Sequence, residues 1–126
     1  RGQSTSSYMA DFDHRLVLIA AYAAFNARAI DAALATMHPD IDWPNGWKGG
    51  RVIGHDAIRA YWTQQWEELN PHVEPQRCTT DDDGRVTVDV HQVVGDYAGH
   101  TLADEQIQHI YEFENGLIKR MDIQRI

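Results

Sequence analysis

One histidine stands where a histidine is costly unless it has work to do. Residues Glu105 to Glu114 alternate as a half-buried strand, with Ile107, His109, Tyr111 and Phe113 on one face and Gln108, Ile110 and Glu112 on the other. On that apolar face burial favours the neutral imidazole, which donates one hydrogen bond and accepts another. Such a ring can serve as a base or an electrophile near neutral pH. The alternative is a core histidine bonded to a backbone carbonyl.

A set of aromatic residues, Trp43, Tyr61, Trp62, Trp66 and Tyr111, together with Ile58, Val88, Val90, Met121 and Ile123, is of the type that lines a pocket for a planar or polycyclic apolar ligand. Aromatic residues at helical spacing also build plain cores, so both readings stand.

Other reactive types are placed less favourably. Asp89 and His91 fall on the polar face of their strand, as a surface or interface pair, unless a bulge at Val93-Val94 reverses them. Asp122 opposes Met121 and Ile123 and so points away from the apolar face. The seven histidines lack metal-binding spacings, and Cys78, the sole cysteine, has neither a second thiol nor an activating neighbour. No metal is expected. Gly49-Gly50 lacks the context of a phosphate loop, so no nucleotide cofactor is implied.

The elements that must position these residues follow from periodicity. Asp11 to Arg28 predicts a first helix, with Leu16, Ile19, Ala20, Ala23 and Ala24 at helical spacing. Ile30 to Met37 predicts a second, with Asp31 in its first turn and Pro39 forbidding continuation. Ile41-Asp42-Trp43 is a short strand before the breaker Pro44-Asn45-Gly46, and a loop follows. His55 to Leu69 is the third helix, ended by Asn70-Pro71. The period then changes to two. Strands are expected over Val73–Thr80, Arg85–Val94, Glu105–Glu114 and Leu117–Arg125, with Asn115-Gly116 as a type I′ hairpin turn. Helices first and an antiparallel meander afterwards is an α+β pattern, with no βαβ alternation to support a parallel sheet.

Bulk properties bound the function. The chain has 126 residues, 43% hydrophobic and 24% charged, which suits one soluble domain with its own core. A net charge of −8 with only two lysines argues against nucleic acid as a partner. The apolar run from Leu16 to Ala24, continuing to Ala27, is too short for a membrane span. A single cysteine requires no oxidising compartment, so the cytoplasm is the default location. Arg1 to Tyr8 is polar and precedes Met9. Residues 1–10 are therefore read as a disordered or extraneous N terminus, and 11–126 as the single domain.

Four stretches in order carry a resemblance. Tyr22-Ala-Ala-Phe-Asn-Ala, Ala33-Leu-Ala-Thr-Met-His-Pro-Asp-Ile-Asp-Trp, Gly54-His-Asp-Ala-Ile-Arg-Ala-Tyr-Trp and His109-Ile-Tyr-Glu-Phe-Glu-Asn-Gly-Leu-Ile-Lys-Arg-Met-Asp-Ile resemble the SnoaL-like branch of the NTF2-like superfamily over residues 11 to 125. The resemblance implies a cone-shaped α+β fold of three helices on a curved, mostly antiparallel sheet, a pocket between the layers, and homodimerisation through the convex sheet face. The superfamily includes ketosteroid isomerase, polyketide cyclases, dehydratases and epoxide hydrolases, besides members that only bind, so the fold alone does not set the activity.

By similarity to ketosteroid isomerase, the hydrogen-bond-donating tyrosine falls at Tyr22 and the protonated aspartic acid of its oxyanion hole falls at His109. The general-base carboxylate falls at Asn45, which is not an acid; Asp42 is nearby, but alternation points it away from Trp43. The reading that results is a small-molecule-binding protein working by cofactor-independent acid–base chemistry of isomerase, cyclase or dehydratase type on an apolar or polycyclic metabolite. His109, Tyr22, Asn45 and Asp42 are its candidate catalytic residues. A binding module without catalysis, or a dimeric assembly protein of the same fold, is the alternative.

Overall fold

A computed structural model describes residues 2–125, with side chains described from Asp13 onward. Three helices and six strands follow in the order α1 (Gly2–Asn26), α2 (Ile30–Leu34), β1 (Met37–Pro44), β2 (Arg51–Ile53), α3 (His55–Glu68), β3 (Asn70–Thr80), β4 (Val86–Gly95), β5 (Thr101–Glu114) and β6 (Leu117–Arg125). The strands form one sheet in the order β2-β1-β6-β5-β4-β3. The helices cover one face of it, the α+β layering expected from the pattern of periods. No helix of the described residues is long and apolar enough to cross a membrane.

Helix α1 starts at Gly2; Arg1 lies outside the described residues. The helix also turns a different face inward from the one expected. Leu18, Ala21, Tyr22 and Ala24 are buried, whereas Leu16 and Ile19 are 49% and 63% exposed. An alanine-rich helix is apolar nearly all round, so spacing alone does not select its inner face. It ends in a Schellman turn, in which Ala29 N–H donates to Ala24 C=O, Arg28 N–H donates to Phe25 C=O, and Arg28 takes a φ of 62°. Asn26 then clasps the edge strand β3: its amide donates to Val73 C=O (2.8 Å) and accepts from Val73 N–H (3.0 Å).

Helix α2 stops at Leu34, short of the expected Met37. Thr36 closes the turn by donating its hydroxyl to Ala33 C=O (2.6 Å), and its own carbonyl accepts from Ile118 N–H (3.0 Å). That bond starts the parallel pairing of β1 with β6, a pairing the sequence pattern did not suggest. The loop expected after Pro44 contains the short strand β2, antiparallel to β1. The remaining pairs are antiparallel as expected. Pro71 and Pro75 lie on β3, an edge strand, where a missing N–H is tolerated. Asn115 and Gly116 have φ of 54° and 79°, the two positive values of a type I′ turn.

Candidate functional site

The core does not fill the space between the layers. A cavity of about 400 Å³ opens between α1, α3 and one end of the sheet, and Phe25, Trp43, Trp47, Tyr61, Trp62 and Tyr111 give it aromatic walls. Trp43 meets Trp62 edge-on, with centroids 5.7 Å apart and planes at 87°, so the two indoles brace each other across the helix–sheet junction. Its volume falls in the range of small-molecule sites.

At its inner end lies a chain of three polar side chains. Strand alternation puts His109 and Tyr111 on the inner face of β5, and Tyr22 approaches from α1. The Tyr22 hydroxyl is 2.7 Å from His109 Nδ1, the Tyr111 hydroxyl donates to the Tyr22 oxygen at 2.8 Å, and the Tyr111 hydroxyl is 3.4 Å from the same Nδ1. The Tyr22 and His109 rings are nearly parallel, 4° apart in plane. All three residues are at most 5% exposed.

Burial sets the charge state. Loss of water holds His109 down at about 4, so the imidazole is neutral at physiological pH. Burial likewise pushes Tyr22 well above the ordinary phenol value, helped by Tyr111, and pushes Tyr111 up against the lowering effect of its bond to Tyr22. Among the described residues, His109 Nε2 has no hydrogen-bond partner, and the ring lines the cavity.

Of the sequence-predicted residues, the structure brings His109, Tyr22, Trp43, Tyr61, Trp62, Tyr111, Met121 and Ile123 together around the cavity. Four expected lining residues do not reach it. Ile58, Val88 and Val90 are sealed in the core, and Trp66 stacks on Trp62 with the Arg28 guanidinium over its ring at 5.1 Å. Alternation gives the face of a strand but not the depth at which the helix layer lifts away. On β4 the lift comes after Val90, so Gln92 and Val94 line the space instead.

Asn45 and Asp42 also lie elsewhere. Asn45 folds its side chain into its own turn, where Oδ1 accepts from Trp47 N–H (3.1 Å) and Lys48 N–H (2.8 Å). It does not line the cavity, although the turn it builds brings in Trp47. Asp42 accepts from Arg51 Nε and Arg120 Nη1, each at 2.7 Å. Asp122 joins the same network, and its hydrogen bond from Arg120 holds its carboxyl below the usual range. Two cations engage these carboxylates away from the pocket. His91 is half-buried and pairs with Asp104 at 2.7 Å.

Sequence reasoning missed the rim. Among the described residues Glu105 is the only carboxylate lining the cavity; it accepts from Arg125 Nη1 (2.5 Å) and more weakly from the Gln92 amide (3.4 Å). The signal was present, because extending the alternation of Ile107, His109 and Tyr111 back by two residues puts Glu105 on the same face.

Comparison with known proteins supplies the last observation. The SnoaL-like domain family matches residues 18–121. Among solved structures the chain is similar to TerC co-crystallised with polyporic acid, at 27% identity and a TM-score of 0.78 over 90% of this chain and 92% of that one. It is also similar to an NTF2-like protein of unknown function from Burkholderia pseudomallei K96243, at 23% identity and a TM-score of 0.78 over 90% and 91% of the two chains. A third similarity is to a protein assigned as a polyketide cyclase from Xanthomonas campestris pv. campestris, at 24% identity and a TM-score of 0.74 over 88% of each chain. No curated protein matches the chain.

Proposed function

The chain belongs to the SnoaL-like family and has its NTF2-like α+β fold, and from that premise we propose that the cavity binds an apolar, polycyclic small molecule and acts on it by cofactor-independent acid–base chemistry. The reaction class is isomerisation, cyclisation or dehydration. The observation that carries the reading is the neutral imidazole of His109, tied through Nδ1 to Tyr22 at 2.7 Å inside an aromatic cavity.

In such a largely apolar space a hydrogen bond to a developing enolate is worth more than in water, because less solvent competes and the partners are already in place. His109 meets the substrate through Nε2, and Tyr22 holds the ring. Trp43, Tyr61 and Trp62 supply the apolar contact that orients a flat substrate against it.

Polyporic acid, the molecule co-crystallised with TerC, is a suitable first probe because that relative is 27% identical along nearly the whole chain. Trp43, Trp47 and Trp62 line the cavity, so their fluorescence reports occupancy. We expect quenching by polyporic acid or a tricyclic ketone, and loss of turnover on any substrate identified from such a series in His109→Ala and Tyr22→Phe. Full turnover in both folded variants would remove the chemistry from this pair.

A second reading, a binding module without catalysis, has its own support. Among the described residues no carboxylate stands beside His109: Asn45 is used in its turn, Asp42 is held by two arginines, and Glu105 is paired with Arg125 at the rim. Recovery of ligand chemically unchanged after prolonged incubation at full occupancy favours that reading; a new product favours the enzyme.

A further inference from the structure

We infer that Tyr22 and Tyr111 hold His109 in the tautomer that carries its proton on Nε2, so that the cavity presents a donor at its inner end and selects molecules with a ketone, quinone or enolate oxygen there. The inference rests on the ligand-binding reading above and names the ligand chemistry of the same site.

A neutral imidazole has one N–H and one lone pair, and which nitrogen holds the proton is decided by the partners of the other. Here Nδ1 meets two phenols, at 2.7 Å and 3.4 Å. A phenol is a stronger donor than a neutral imidazole N–H, and an imidazole nitrogen is a stronger acceptor than a phenol oxygen. The favourable chain therefore runs from Tyr111 to Tyr22 and on to the Nδ1 lone pair, with both phenol protons satisfied. Reversing it would leave the Tyr111 proton without an acceptor among the described residues, on a side chain only 2% exposed.

The forward chain leaves one free donor, Nε2–H, on a ring that lines the cavity. A ligand oxygen with lone pairs satisfies it. A hydrocarbon leaves it unpaired in an apolar space. Tyr22 and Tyr111 are on this view positioning residues, acting through the proton they keep on Nε2 rather than through bulk.

The test has two arms. Histidine ¹⁵N correlation spectra of the free protein report the tautomer directly; we expect Nε2–H for His109, and a mixture of tautomers in the Tyr22→Phe/Tyr111→Phe double variant, a change that loss of packing alone does not produce. Fluorenone and fluorene, which share a tricyclic frame and differ at the oxygen, are then titrated by tryptophan fluorescence. The ketone should bind about tenfold more tightly to the native protein, and the preference should shrink to about twofold or less in the double variant.

An Nδ1–H signal in the native protein overturns the inference without any variant, and so does equal affinity for the two probes. If neither probe nor polyporic acid binds while the Nε2–H tautomer is observed, the ligand-binding reading itself fails, and the acceptor preference goes with it.

Discussion

Burial decides the protonation of the inner cavity residues, and this makes His109 visible in the pH dependence of stability. Its folded value is depressed to about 4 by loss of water, whereas an unfolded histidine titrates near 6.5. Between those values the unfolded chain binds a proton that the native state refuses, so stability rises with pH. The contribution is complete above about pH 6.5 and is lost as pH falls towards 4, by roughly 3 kcal/mol. Urea melts of the native protein and His109→Gln at pH 7 and pH 4.5 should show the native protein losing the larger amount; parallel losses in the two would remove the imidazole as the cause. Tyr22 and Tyr111 have the opposite sign, since phenols raised by burial contribute stability that is lost as pH climbs beyond the ordinary phenol range. At this scale the two polar residues at the inner end of the cavity were legible before the structure. An imidazole on an alternating apolar face announces itself, and Tyr22 followed from the motif that contains it. The Asp42–Arg120 pair was not legible, because it depends on a partner that folding brings from far along the chain. Nor was the role of Tyr111, named as lining, as the first donor of a relay.

Elements hold this centre through few and specific joints. Asn26 satisfies both backbone groups of Val73, at 2.8 and 3.0 Å, and thereby fixes the end of α1 that follows Tyr22 to the edge of the sheet. Leucine at that position would leave a backbone donor and an acceptor unpaired in a partly buried place. Asn26→Leu should therefore cost about 1–3 kcal/mol, with hydrogen exchange at the Val73 amide accelerating more than exchange at the β5–β6 pairing. Uniform acceleration across the sheet would mean that the clasp has no local role. The hairpin that follows His109 by one strand end rests on backbone conformation instead. A Cβ at Gly116 would meet nothing within 4 Å, so the Gly116→Ala penalty is that of the left-handed backbone alone, about 1 kcal/mol. Thermal melts should show Asn115→Gly, which leaves both turn residues free to take positive φ, as much the milder of the two changes. This turn and the long antiparallel strands were readable because their signals are local. The parallel β1–β6 pair and the three-residue strand β2 were not, since one joins residues far apart in the sequence and the other exists only because β1 offers it an edge. The inner face of α1 was obscured for a different reason, its alanine content on every side.

For the molecule as a whole, an open aromatic cavity is a place where the fold forgoes stability. A space of about 400 Å³ beside Trp62 and Tyr111 lacks the dispersion contacts a filled core would supply. Proteins sit close to the stability that function requires, and sites kept open for ligands are where stabilising substitutions are easiest to find. Ala21 gives a direct test. It lies on the buried face of α1, one residue before Tyr22, and lines the cavity. Leucine there extends the side chain into the open space without altering helix propensity greatly, and should stabilise the protein by about 1 kcal/mol after its rotamer cost. That corresponds to a rise in Tm of about 3–5 °C for a domain of this size. The same side chain occupies the volume a polycyclic ligand needs, so fluorenone affinity should fall about tenfold or more. The two effects must appear together. A variant that melts higher and binds as before would mean that the ligand sits elsewhere, and one that melts lower would mean that the space beside Tyr22 is already closed in solution.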